Sequence, residues 1–151
     1  MTERALDETD KAIIRELQND GRMPFAQLAP LVGLSQAATR QRVNRLVDGG
    51  VMQVVAVTDP TTLGLRYQSM LGITVDGDVR KVTEAIAALA GADYVVITAG
   101  RFDALVEVVA DNADSFLDLV NMDIRTIPGV RTVEILSYVR LVKQTYNWGT
   151  G

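Results

Sequence analysis

At 151 residues, 48% of them hydrophobic, the chain can bury a proper core as one domain or two small ones, which excludes global disorder. It contains neither cysteine nor histidine, so disulfide frameworks, thiolate chemistry, Ser-His-Asp triads, Cys-His dyads and His-containing zinc sites are all excluded. The formal net charge of −4 is unevenly spread: residues 1–58 carry seven basic and seven acidic side chains, residues 59–151 eight basic and twelve acidic.

The amino terminus, MTERALDETD, is charged and lacks the apolar segment of a signal peptide. No apolar run approaches the roughly 20 residues that span a bilayer, so a cytoplasmic protein with no membrane partner is expected. Asp7-x-x-Asp10 has capping spacing, and Ile13, Ile14 and Leu17 share one helical face. Together they predict a helix over 8–19, ended by Asn19-Asp20-Gly21. Pro24 suits the first turn of a second helix, whose Phe25, Leu28, Ala29 and Val32 fall at i, i+3, i+4 and i+7. Gly33-Leu34 makes a tight break, and Ser35 is an N-cap for a third helix that runs to about Gly49.

The third helix lies in GLSQAATRQRVNRL (33–46), within a stretch (21–47) that holds Arg22, Arg40, Arg42 and Arg45 and no acid. Local positive charge of this kind is what a polyanion meets first. At about 100° per residue, Thr39, Val43, Leu46 and Val47 gather on one side, the expected buried face. Ala37, Gln41, Asn44 and Arg45 project opposite, with Arg40 beside them. Arg and Gln or Asn can hydrogen-bond bidentately to guanine and adenine edges in the major groove, and the small Ala37 and Ala38 let a helix settle deep into it. Two helices joined by a glycine-containing turn, the second with this face, make a helix-turn-helix. The bland alternative is a surface helix solvated by its polar residues.

The run from Leu6-Asp7 through GRMPFAQLAPLVGLS to RVNRLVDGGVM resembles the DNA-binding half of the Lrp/AsnC regulators, the feast/famine regulatory proteins. The matching residues are Asp7, Asp10, Leu17, Gly21, Arg22, Leu28, Ala29, Gly33, Leu34, Ser35, Arg42, Leu46, Gly50 and Val51, spread over 45 residues with the family's spacing. The resemblance implies that the helix starting at Ser35 is the recognition helix and that double-stranded DNA is the partner. The candidate DNA-binding set is Ser35, Gln36, Ala37, Thr39, Arg40, Gln41, Asn44 and Arg45, with Arg22. Arg40 and Gln41 are expected at base edges and Arg45 at a phosphate.

After Gly50 the period changes. VMQVVAVTD (51–59) is β-branched and strand-like, and Pro60 and Gly64 mark a loop. The resemblance makes this strand a hinge that pairs with its dimer mate; from the residues alone it can also be one strand of a winged-helix hairpin. A strand over 69–75 follows, then a helix capped by Asp78 and carrying Val79, Val82, Ile86 and Leu89. Strands over 94–100 and 102–110 flank a short turn. Asp111 or Asn112 opens a helix with Phe116, Val120 and Ile124 on one stripe; Pro128-Gly129 ends it, and a last strand covers about 130–142. Asp76 and Asp78 match only part of a calcium loop and read as a turn and helix cap.

The expected architecture is α+β: a three-helix helix-turn-helix domain over 1–50, a hinge strand and linker over 51–66, and a ferredoxin-like βαββαβ domain over 67–142. A tail over 143–151 follows, and the aromatics of its KQTYNWG read as assembly contacts. With helices on one sheet face only, apolar strand residues such as Leu71, Ile73 and Val75, with Val139, Leu141 and Val142, are expected to leave an apolar surface that marks a homodimer interface. A two-fold dimer also suits a pseudo-palindromic operator.

In ITAGRFDALVEVVA, Gly100 and Asp103 resemble the family's G-x-[YF]-D signature. The bland reading is a hairpin turn with an Asx-type bond. The resemblance implies instead a pocket for a free amino acid between subunits. Backbone N–H groups at Gly100 would serve its carboxylate and Asp103 its ammonium, with Thr98 and Arg101 as further effector-binding candidates. The chain departs from the family at Ile135, where threonine is frequent. No P-loop or GxGxxG occurs, and no cofactor, metal or catalytic residue is expected. The reading is a sequence-specific transcriptional regulator, dimeric and assembled further into an octamer or another array of dimers, modulated by an amino acid or related metabolite. One competitor, a small ferredoxin-like dimeric enzyme, explains 67–142 but leaves the recognition helix unexplained. The other is a metabolite-binding module without DNA activity.

Overall fold

Residues 6–144 are described by the computed structural model, and the chain divides into two compact units that part between Val57 and Thr58. The tail aromatics Tyr146 and Trp148 lie outside the described residues.

Helix α1 (Glu8–Asn19) starts where an Asp7 carboxylate oxygen accepts the Asp10 amide at 2.8 Å. Helix α2 (Phe25–Leu31) follows Pro24, which takes the cap position rather than the first turn. Helix α3 (Gln36–Asp48) starts where Ser35 Oγ accepts the Ala38 amide at 3.2 Å. Gly33 joins α2 to α3 at a φ of +68°, a left-handed conformation that glycine adopts without steric cost. Ile13, Ile14, Leu28, Val43 and Leu46 form the core of this unit, with Leu17, Phe25, Val32 and Leu34 packed around it. Full burial of a side chain such as Ile13 or Leu28 contributes about 1.5–3 kcal/mol over leaving it exposed. Val47, expected in the buried face, lies at the margin of the packed stripe, 40% exposed.

Within one chain residues 51–59 join no sheet among the described residues, so the winged-helix hairpin alternative does not form. Strand geometry is stabilised by a hydrogen-bonded neighbour, and no described residue pairs with this segment. Val54, Val55 and Val57 are exposed along it. Its first residues close helix α3 instead: the Val51 and Met52 amides donate to the Leu46 carbonyl at 2.9 and 3.3 Å.

The second unit runs β1 (Tyr67–Val75), α4 (Val79–Ala87), β2 (Ala92–Ile97), β3 (Ala104–Ala110), α5 (Ala113–Asp118) continued by a π-helical turn (Leu119–Ile124), and β4 (Val130–Ser137). The sheet order is β2-β3-β1-β4 with every neighbouring pair antiparallel, the βαββαβ arrangement expected. Asp78 caps α4 through the Arg80 amide at 3.1 Å, and Asn112 caps α5 through the Ser115 amide at 2.9 Å. Strand β4 stops well short of residue 142. Ser137 stands opposite Ser69, and β1 begins at Tyr67, so residues 139–144 have no strand to pair with among the described residues. Val139 and Val142 are accordingly exposed.

Strand parity corrects one expectation. Leu71 and Ile73 are fully buried, packed with Val106, Val108, Val82, Ile86, Val120 and Ile124, and Val75 sits against the same cluster. They line the helix-covered face, not the uncovered one. The opposite face carries Met70 between Glu107 and Leu136, and Gly72 between Leu105 and Glu134. It mixes apolar and polar groups: Gln68 Nε2 donates to Glu107 Oε1 at 3.0 Å. The Phe102 ring lies directly on Gly72, where a Cβ would come within 2.5 Å of Phe102 Cζ. Nearby, burial and then the Glu107 charge push the Tyr138 phenol up to about 12.

Candidate nucleic-acid interface

Helix α3 packs through Thr39, Val43 and Leu46, and its 3.6-residue period therefore turns the intervening residues outward. Gln36, Ala37, Arg40, Gln41 and Asn44 are all exposed and together line one open depression. The Arg40 guanidinium carbon stands 5.4 Å from the centroid of the Phe25 ring, inside the roughly 6 Å reach of a cation–π contact. A flexible cation is thereby held against α2, at the edge of a surface whose other groups are amides. Ser35 is also exposed, although its oxygen is engaged as the cap of α3. Arg22 is exposed just ahead of α2, and its guanidinium has no carboxylate partner among the described residues.

Two expected contacts are placed differently. Thr39 is fully buried, and its hydroxyl donates to the Ser35 carbonyl at 3.0 Å; it belongs to the packed face and cannot touch a duplex without unfolding the first turn of α3. Arg45, expected to be free for a phosphate, is bound within the chain. Its Nη2 donates to both oxygens of Asp10 at 2.8 and 2.9 Å. Arg42 Nη1 donates to Asp10 at 2.8 Å and to the two Asp7 oxygens at 2.8 and 2.6 Å. Asp10 is only 4% exposed, so this carboxylate is a buried charge held by two guanidinium groups. The Arg42 hydrogen bond, with help from the Asp10 amide, holds the Asp7 carboxyl below its ordinary value, and Asp7 followed by Asp10 raises Arg42 in return.

Reading Asp7 and Asp10 only as a helix cap missed this network. The signal was present: two carboxylates three apart at the head of α1 match two arginines three apart on α3.

The turn between β2 and β3 is closed on itself. The Thr98 amide donates to the Asp103 carbonyl at 2.9 Å and its hydroxyl to the Phe102 carbonyl at 2.7 Å. Asp103 Oδ2 accepts the Val75 amide at 2.7 Å, and the Asp103 amide donates to the Ile73 carbonyl at 2.9 Å. Asp103 thus ties the turn to the end of β1. A Cβ at Gly100 would meet nothing within 4 Å, and its φ is not left-handed, so neither space nor backbone in this chain demands glycine there. Arg101 Nη2 pairs with Glu134 Oε2 at 2.6 Å and its guanidinium lies 5.1 Å from the Phe102 centroid. Ile135, opposite Leu71, belongs to the other sheet face. No group of described His, Cys, Asp or Glu residues could hold a metal ion, and no described helix is long and apolar enough to cross a membrane.

The sequence matches the AsnC-type helix-turn-helix domain over residues 6–47 and a C-terminal dimeric alpha+beta barrel domain over residues 66–151. It is 32% identical over 147 residues to the HTH-type transcriptional regulator FL11 of Pyrococcus horikoshii, which covers 93% of each chain. Among solved structures, the leucine response regulatory protein of Mycobacterium tuberculosis is similar with a TM-score of 0.85 and 26% identity, over 94% of this chain and 98% of that one. A transcriptional regulator of Neisseria meningitidis, in its L-Met complex, shares the fold with a TM-score of 0.81 at 23% identity, over 93% of this chain and 94% of that one.

Proposed function

Because the chain belongs to the Lrp/AsnC family of transcriptional regulators, we propose that it reads an operator as a homodimer by laying α3 in the major groove. The observation that carries this is the outward set Gln36, Ala37, Arg40, Gln41 and Asn44, which offers amide and guanidinium donors on one face while the opposite face is packed. Arg40, Gln41 and Asn44 are the base-reading candidates, since their side chains match guanine and adenine edges. Ala37 permits close approach. Arg22 supplies a phosphate contact beside them.

The test starts from a duplex recovered from a random pool by the full-length chain. Gln41→Ala should cost roughly 1–3 kcal/mol on it and relax the preference at one base position. Binding equal to the parent at every duplex would sink the reading of this face.

The uncovered sheet face supports a dimer contact, with Met70, Leu105 and Leu136 as its apolar part; an octamer or another array of dimers builds on that pair. Sedimentation of the full chain as a compact monomer at micromolar concentration would count against it. An amino acid is the proposed effector, in keeping with the leucine response of the mycobacterial relative. The exposed Arg101–Glu134 pair beside the turn offers one charge of each sign to such a zwitterion. Calorimetric titration of the common amino acids against the full chain checks this, and silence from all of them would refute it.

A further inference from the structure

The recognition helix carries three arginines, and the chain's own carboxylates occupy two of them. Arg42 and Arg45 converge on Asp10, which is 4% exposed, and Arg42 also engages Asp7. Arg40 alone of the three rests on an aromatic ring instead of an acid. For Arg45 to turn toward a phosphate it would have to give up both of its charge-assisted hydrogen bonds to a buried carboxylate and leave Arg42 to hold it alone. Phosphate contacts raise affinity for every duplex alike and carry no sequence information.

We infer that Asp10 limits the sequence-independent part of DNA binding: it withholds Arg45 from the DNA backbone, so that one phosphate contact fewer is made on every duplex. The inference rests on the DNA-binding reading above, and it assigns Arg45 the opposite role from the phosphate contact that the sequence suggests. Asp10 touches no base itself; it acts through Arg45 and is a positioning residue in that sense.

The experiment measures affinity against salt concentration for the full chain, on the recovered duplex and on an unrelated duplex of equal length. Arg45→Gln leaves Arg42 on Asp10 and should preserve both the fold and the parental salt slope. Asp10→Asn keeps a hydrogen-bond acceptor but removes the charge. It should steepen the slope by about 0.9 on both duplexes, the release expected for one added phosphate contact, and leave the ratio between recovered and unrelated duplex unchanged. Adding Arg45→Gln to Asp10→Asn should restore the parental slope. Flattening by about 0.9 in Arg45→Gln alone would show that Arg45 already meets a phosphate and would overturn the inference; so would an Asp10→Asn protein that is folded and keeps the parental slope on both duplexes. If Asp10→Asn loses its thermal transition, the Arg45→Gln arm decides by itself. A parent chain that binds neither duplex refutes the DNA-binding reading and this inference with it, an outcome distinct from a flattened slope.

Discussion

Replacing Phe25 with leucine removes the ring beneath Arg40 while keeping an apolar side chain at the edge of the helix-turn-helix core. The Arg40 guanidinium carbon stands 5.4 Å from that ring centroid, so in the parent the side chain is already ordered before DNA arrives. Without the ring, Arg40 must be immobilised on binding, at about 0.5–1.5 kcal/mol for a rotamer-rich side chain. That corresponds to an affinity loss of about two- to twelvefold. Arg40→Ala removes the base contact itself and should lose more, roughly 1–3 kcal/mol.

The assay is fluorescence anisotropy of a labelled duplex against parent, both single variants and the double variant, with thermal unfolding as a control for folding. If the ring acts only through Arg40, Phe25→Leu has no further effect once Arg40 is gone, and the double-mutant cycle shows a coupling as large as the Phe25→Leu effect. Additive losses would refute preorganisation and assign Phe25 a contact of its own. A Phe25→Leu chain that binds as tightly as the parent would refute it equally.

Leu28→Ala, at a fully buried position in the first unit, should destabilise that unit by about 2–5 kcal/mol, read as a lower midpoint in chemical unfolding. Gly72→Ala puts a Cβ within 2.5 Å of the Phe102 ring and should cost about 1–3 kcal/mol by overpacking, with a changed near-ultraviolet dichroism as the ring is displaced. The pH dependence follows from Asp7, whose folded value is depressed by Arg42 below 3.8. A depressed carboxylate stabilises above its unfolded value and loses that contribution as pH falls through the folded one. Thermal stability should therefore show no Asp7-linked loss from neutrality down to about pH 4, and Asp7→Asn should lessen the fall below it.

Elements that declare themselves locally were legible in the residues. Asp7, Ser35, Asp78 and Asn112 cap the helices they were expected to cap, because a cap needs only the amides two or three residues on. The outward polar face of α3 followed from helical period alone. What depended on a distant partner was not legible. Period places Arg45 outside the core but cannot say that Asp10, thirty-five residues earlier, reaches it. Alternation marks Leu71, Ile73 and Val75 as one stripe of β1 without revealing which face the helices cover. Residues 51–59 have strand composition but no partner among the described residues. Gly100 and Asp103 were recognised as a pair, yet Asp103 proves to be tied to the backbone of β1 and Gly100 to stand in open space.

The sheet order β2-β3-β1-β4 has a consequence for how the chain is made. Strand β1 occupies the middle of the sheet but leaves the ribosome before any of its neighbours. Its partners in the sheet, β3 and β4, lie far downstream, with Tyr67 opposite Ala110 and Ser69 opposite Ser137. At a synthesis rate of about 5–20 residues per second, the β2–β3 hairpin can close while β4 is still being translated. Strand β1 meanwhile waits for seconds with Leu71 and Ile73 unprotected. The nascent chain is therefore most exposed to misassociation between the birth of β1 and that of β4, and a translational pause placed in that interval would lower the yield of native protein more than one placed after β4.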